Sequence, residues 1–277
     1  MSSTVPCLVQ GGSQTPRPAA GQREAAARLR ALLEGGALTA PGAARRVQDP
    51  LSFRVAAQVH GCLQAAFESA RDAVEVELNS AADSPLVIPG DGVMLSNGNF
   101  HLPHLALAFD AAAIACAQSA SLATERVIRF MSPGFTDLPL QLTRHGPAHS
   151  GFATVQKTLT ALWADIRLRA NPGSLDFLPL SEGAEDHATM ALGTVEKLGG
   201  MLARIRYVVA IELMVAAQAL DLRNIAVEML GHGARSAYAR VRSTVPVLDV
   251  DRPLGPDVDA LAERVTRGEF SAASLAT

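Results

Sequence analysis

Apolar positions along this chain recur at helical spacing over long stretches. In GQREAAARLRALLEGG they fall three and four residues apart and stop at Gly35-Gly36, which predicts a short helix. The same period predicts helices over 50–78 and at about 101–130, 150–170, 184–220, 223–243 and 256–267. Asp49 reads as the N-cap of the second helix and Pro50 as its first residue. Strand character is confined to PLVIPGDGVMLSNGN, where β-branched arms flank Gly90-Asp91-Gly92 and predict a small hairpin. Two Gly/Pro-rich loops, FMSPGFTDLPLQLTRHGPAHSG and NPGSLDFLPLSEGAED, separate long helices.

Residues 1 to about 20, rich in Gly, Pro, Ser and Gln, are expected to be irregular, and 21–277 to form a single helical domain. Helices of roughly 25–35 residues exceed the three or four turns usual in globular proteins. The fold expected is therefore all-α: a bundle of long antiparallel helices with a small β-hairpin, sharing its core with neighbouring chains as an oligomer.

Composition sharpens this. Apolar residues make up 48% of the chain but aromatic ones only 4%, so the apolar content is mainly Ala, Leu and Val, suited to closely packed helices. A mean hydropathy of +0.18 implies surface buried between subunits. A net charge of −3 offers no electrostatic case for nucleic acid or an anionic membrane as partner. The longest apolar stretch, LALAFDAAAIACAQSASLA, is Ala-rich and interrupted by Asp110 and Gln118, so it reads as a core helix. Cys7, Cys62 and Cys116 form no CxxC pair or disulfide framework, which with the lack of a signal-like N-terminus fits a cytoplasmic protein. His101-x-x-His104 and His145-x-x-x-His149 do not supply the converging ligands of a zinc site, so no metal is expected.

More specific chemistry comes from an ordered series of motifs. VQDPLSFR, ELNSAADSPLV, SNGNFH, SGF, SLDFLPLSEGAEDHATM and VVAIELMVAAQALDLR follow one another in register, with RPLGPDVDAL near the end. In order and spacing they resemble the histidine and aromatic amino-acid ammonia-lyase family, from about Arg17 onward. The match falls on the C-terminal half of that family's longer chain. The resemblance implies an all-helical tetramer whose active sites each draw on three chains. It also implies the electrophile methylidene imidazolone, formed in the family's other half from Ala-Ser-Gly. This sequence has no Ala-Ser-Gly; His149-Ser150-Gly151 aligns with a structural segment and reads as a Ser-Gly turn opening a helix. The electrophile is therefore expected on a partner chain resembling the N-terminal half.

The resemblance also assigns residues. Arg54 matches the arginine that holds the substrate carboxylate, a task suited to a planar guanidinium fork. At the first turn of a helix, a cation there would face the positive end of the dipole, an unfavourable place for an idle arginine. Gln48 matches a glutamine near the substrate, with a loop-tying amide as the plain alternative. Phe100 matches a pocket-wall phenylalanine, against ordinary core packing. Glu185 matches a glutamate facing the substrate, against the alternative that it complements the N-terminus of the next helix. Leu51 stands where the family has a catalytic tyrosine, and Gly183-Ala184 replace Asn-Gln before Glu-Asp-His. Leucine can neither donate nor accept a proton.

The function expected is that of the C-terminal-half subunit of a split aromatic amino-acid ammonia-lyase or aminomutase acting on an amino-acid-like substrate. A degenerate scaffold or regulatory subunit, and a lyase fold retuned to other chemistry, are the alternatives.

Overall fold

The computed structural model describes residues 19–275 apart from position 176. The segment expected to be irregular thus lies almost wholly outside the described residues. The described helices are α1 (Gln22–Leu33), α2 (Leu51–Arg54), α3 (Ala56–Leu78), α4 (Pro103–Phe130), α5 (Pro133–Thr136), α6 (Ala153–Arg169), α7 (Ala191–Leu222), α8 (His232–Arg242), α9 (Gly255–Thr266) and α10 (Ala272–Leu275). Strands β1 (Leu86–Ile88) and β2 (Val93–Leu95) form the hairpin, antiparallel, with Leu86 opposite Leu95 and Ile88 opposite Val93.

The bundle is organised around α4 and α7. Ala108, Ala112, Ala113, Cys116, Ala120 and Ala123 of α4 are buried, as are Met201, Val208, Ile211, Met214 and Val215 of α7. Small side chains on one helix and larger ones on the other let the axes approach closely without voids. By composition α4 is long and apolar enough to cross a membrane, but its alanine face is built into this core.

Side-chain ties fix the directions. Asp110 meets Lys197 and Arg126 meets Glu212, so α4 and α7 run side by side in the same direction. His60 meets Ser119, which makes α3 antiparallel to α4. Trp163 donates to Ser121 and the Gly173 N–H to Asp110, while Arg204 pairs with Asp165 and Lys197 reaches the Asn171 carbonyl, which makes α6 antiparallel to both α4 and α7.

Three expected helices differ in extent. The helix predicted over 50–78 breaks at Val55 (φ −100°, ψ 17°), separating the turn α2 from α3. Pro50, with ψ 153°, precedes that turn as its N-cap instead of forming its first residue. The helix expected from 184 begins only at Ala191, because Ser181, Glu182, Gly183 and Met190 all have positive φ. There the Leu180 N–H donates to the Glu185 carbonyl at 2.9 Å, an extended pairing that competes with a helical turn. The helix expected over 223–243 shrinks to α8. Asn224 (φ 51°) ends α7, and Gly231 packs on α1 so closely that a Cβ would lie 2.4 Å from the Leu33 carbonyl carbon.

Candidate active site

The residues singled out in the sequence fall into two groups at opposite ends of α4. The first is carried by α2. Its Ser52 carbonyl accepts from Arg126 Nη1 at 3.0 Å near the C-terminal end of α4. Phe53 packs edge-on against Phe130 and stacks on Phe135, each at 5.6 Å between centroids. With Phe53 half-buried between two rings, Leu51 is left 63% exposed and Arg54 half-exposed. Arg54 Nη1 donates to Gln48 Oε1 at 3.0 Å. Arg54 closes a four-residue turn and lies outside α3, so it does not occupy the first-turn position on which the dipole argument relied. Its candidacy rests on an outward-facing fork oriented by an amide.

The base of this turn is a feature that sequence reasoning missed. Arg126 grips Glu212 through both Nε and Nη2, the latter at 3.1 Å from Oε2, while its third nitrogen holds the Ser52 carbonyl. Both side chains are largely buried. Fork-to-carboxylate pairing of this kind fixes orientation as well as charge. His60 lies close by, with Nδ1 3.2 Å from Ser119 Oγ. Burial lowers its pKa below 6.5, Arg126 lowers it further, and Glu212 partly opposes them. Half of the signal was available: Glu212 is a lone charge in the apolar run VVAIELMVAA, whereas Arg126, between Glu125 and Arg129, does not stand out.

The second group surrounds the N-terminal end of α4. Phe100 is 58% exposed, so core packing does not explain it. Its neighbour His101 places Nε2 2.6 Å from His187 Nδ1, with the two rings 4.8 Å apart. Phe177 leans on the other side of His187 at 5.5 Å. This histidine contact joins the GNFH loop to the loop carrying Glu185. Glu185 is exposed and lies well before Ala191, so it does not cap α7 as the plain alternative supposed. Among the described residues no atom lies within 4 Å of the place a Cβ on Gly183 would take, but its φ of 86° is one that a residue with a side chain adopts only at a cost.

The root of that loop is tied by Asp110. This buried carboxylate accepts from the Gly173 N–H at 3.0 Å, from the Ser174 N–H at 2.9 Å, and from Lys197. Lys197 also donates to the Asn171 carbonyl at 2.7 Å. Burial alone would raise the Asp110 pKa, but Lys197 and the two backbone donors outweigh it and hold the carboxyl below its ordinary value. Lys197 is one of only two lysines in the chain.

Other motif residues have structural roles. Gln218 is buried and bridges two loops, donating to the Leu142 and Leu248 carbonyls at 3.3 and 2.8 Å and accepting from the Leu248 N–H at 3.0 Å. The Ser150 and Gly151 N–H groups donate to Asp251 at 2.6 and 2.9 Å, and a Cβ on Gly151 would lie 2.4 Å from the Gln141 carbonyl oxygen. His145 packs against His149 with ring centres 4.7 Å apart. Among the described residues no group of three or more His, Cys, Asp or Glu side chains is placed to hold a metal.

The two outward-facing groups stand far apart. The 28 residues of α4 rise by about 1.5 Å each, which puts α2 and the Phe100 loop roughly 35–40 Å from one another. The carboxylate and amino group of an α-amino acid share one carbon. A single chain therefore cannot bring Arg54 and Glu185 to the same substrate molecule.

Comparison with known proteins places this geometry in context. The family model described as aromatic amino acid lyase matches residues 10–243. Histidine ammonia-lyase of Symbiobacterium thermophilum is 41% identical over 253 residues, covering 91% of this chain and 50% of its own length. The ergothionase of Treponema denticola superposes with a TM-score of 0.85 at 34% identity, over 91% of this chain and 50% of that one. Tyrosine aminomutase from Streptomyces globisporus superposes with a TM-score of 0.89 at 32% identity, over 99% of this chain and 56% of that one. The chain spans about half the length of the curated relatives it matches.

Proposed function

This chain belongs to the aromatic amino acid lyase family, and from that premise we propose that it supplies the carboxylate-binding turn and part of the pocket wall of an ammonia-lyase or aminomutase acting on an amino acid. The observation that carries this reading is the placement of Arg54 and Glu185 on outward surfaces at opposite ends of one long helix. Each group is then half of a site, completed by another chain. Large apolar side chains exposed on α4 and α7, among them Leu107, Ile114, Leu192 and Leu202, support self-association.

Within the completed site, Arg54 offers a two-pronged contact to the substrate carboxylate, and Gln48 holds its fork in orientation. Glu185 would hold the ammonium group or accept a proton from the substrate, and Phe100 would cover its side chain. A methylidene imidazolone would supply the electron sink for C–N cleavage, which ordinary side chains do not provide. With no Ala-Ser-Gly in this sequence, that group is assigned to a partner chain resembling the family's N-terminal half. Leu51, exposed beside Arg54 where the family carries tyrosine, favours a pocket retuned to a different amino-acid side chain as the second reading.

The experiment is reconstitution with a chain resembling the N-terminal half, followed by the absorbance of cinnamate or urocanate. The chain alone should show no turnover. In the assembled enzyme Arg54→Ala should weaken substrate binding by about 2–5 kcal/mol, because a desolvated carboxylate is left unpaired. Leu51→Tyr should raise deamination of an aromatic amino acid in an unretuned lyase and block the native reaction in a retuned one. Turnover by the chain alone, or an Arg54→Ala enzyme with unchanged kinetics, would refute the assignment.

A further inference from the structure

Behind the turn that presents Arg54, on the side to which Phe53 points, lies a cavity of about 360 Å³. Phe53, Phe130 and Phe135 line it together with Leu138, Leu220 and Ile225. This concentrates three of the chain's nine phenylalanines around one space. Arg45, Arg46 and Arg223 stand on the same wall.

These guanidiniums are unequally neutralised. Arg45 pairs with Asp137 and also donates to the Thr136 carbonyl at 3.3 Å. Arg46 donates to the Gly134 and Phe135 carbonyls at 3.0 and 2.6 Å, with its guanidinium carbon 4.9 Å from the centre of the Phe135 ring. Arg223 donates to the same Thr136 carbonyl as Arg45, and among the described residues it makes no ion pair. Two cations thus converge on one neutral oxygen. Partial burial lowers the Arg223 pKa, Arg45 lowers it further, and no carboxylate opposes them, although Asp49 also lines the cavity. An anion bound here would relieve that repulsion.

We propose that this cavity binds a small aromatic monocarboxylate, with its ring among Phe53, Phe130 and Phe135 and its carboxylate on the free prongs of Arg223. The volume lies within the range of small-molecule sites, and one charged group in an apolar cleft is how such sites orient a ligand. Edge and face contacts with three rings favour an aromatic body over a flexible chain. Arg223 offers a fork to a carboxylate, and among the described residues it forms no ion pair that would have to break. Arg54, Gln48 and Leu51 do not line this cavity, so the site is separate from the substrate position assigned to Arg54 and does not depend on that assignment.

The test is calorimetric titration of the purified chain with 4-phenylbutyrate and its uncharged analogue 4-phenyl-1-butanol. The carboxylate should bind at least tenfold more tightly than the alcohol. Arg223→Gln should abolish that difference while leaving the weak alcohol binding intact, and Arg223→Lys should restore part of it. Ala216→Leu, which fills the cavity from α7, should remove binding of both ligands, whereas Arg54→Ala should change neither. Circular dichroism and melting would confirm that each variant is folded; if Arg223→Gln does not fold, Arg223→Lys and Ala216→Leu still decide the outcome. Equal affinity for acid and alcohol overturns the proposal. So does an absence of heat with both ligands, expected if a protein segment fills the cavity, and so does loss of binding in Arg54→Ala.

Discussion

The two ends of α4 are built differently. At its C-terminal end the turn α2, which carries Arg54, is clamped from beneath: Arg126 spans Glu212 and the Ser52 carbonyl, and Phe53 is wedged between Phe130 and Phe135. At its N-terminal end the loop carrying Glu185 is tied at its root by buried Asp110, and an exposed histidine contact then holds it to the GNFH loop. Positive φ angles at Ser181 and Glu182 add local cost to the second loop. The turn carrying Arg54 is thus tied along its length, whereas the loop carrying Glu185 is anchored at its base and open at its tip. Under the proposed function, a tied fork would suit the substrate carboxylate, and a loop open at its tip would let Glu185 and Phe100 adjust to the rest of the amino acid.

The largest expected effect on this contrast is that of Asp110→Ala. Removing a buried carboxylate strands Lys197 and the N–H groups of Gly173 and Ser174, which should cost about 3–5 kcal/mol. Denaturant unfolding would measure it, and limited proteolysis should cut first between 174 and 190 while the 48–54 segment stays protected. Equal loosening of both segments would break the contrast.

Arg126→Ala should follow at about 3 kcal/mol, since it leaves the largely buried Glu212 without its partner and the Ser52 carbonyl without its donor. Here hydrogen exchange should speed up at 51–55 and remain unchanged at 180–187. His101→Ala removes an exposed contact and should change global stability by less than about 1 kcal/mol. It should nevertheless accelerate exchange in both loops it joins; unchanged rates would show that the histidine contact does not hold them together.

The smallest effect concerns pH. His60 has its folded pKa lowered by burial and then by Arg126, so the unfolded chain takes up its proton first as the pH falls. Its contribution to stability is present above the unfolded value of 6.5 and is lost as the pH falls through the folded value. Melting temperatures recorded from pH 7.5 downward should therefore decline, and His60→Gln should flatten that part of the profile. An identical slope in the variant would remove His60 as its source.

Legibility from sequence followed the range of the interactions. The long helices and the hairpin were readable because hydrophobic periodicity and turn residues act over a few neighbouring positions. The motif series pointed to the family, since its residue types and spacing survive in one dimension. Helix edges were less legible at positions 55, 181–190 and 224–231. There the backbone leaves its local preference because of an extended pairing at Leu180, an αL residue at Asn224 and the packing of Gly231 on α1.

Sequence by itself determined the helical class of this protein, its alanine-rich core positions and which side chains are candidates for carboxylate and ammonium recognition. Only the tertiary structure decided that α4 and α7 run in the same direction, that Arg126 and Lys197 support the two candidate regions, and that Arg54 and Glu185 lie at opposite ends of the bundle. Periodicity reports which face of a helix is buried, but it carries no information on which helix covers that face or in which direction it runs. Those choices are set by side-chain fit and charge pairing between residues far apart in the chain, such as Asp110 with Lys197 and Arg126 with Glu212.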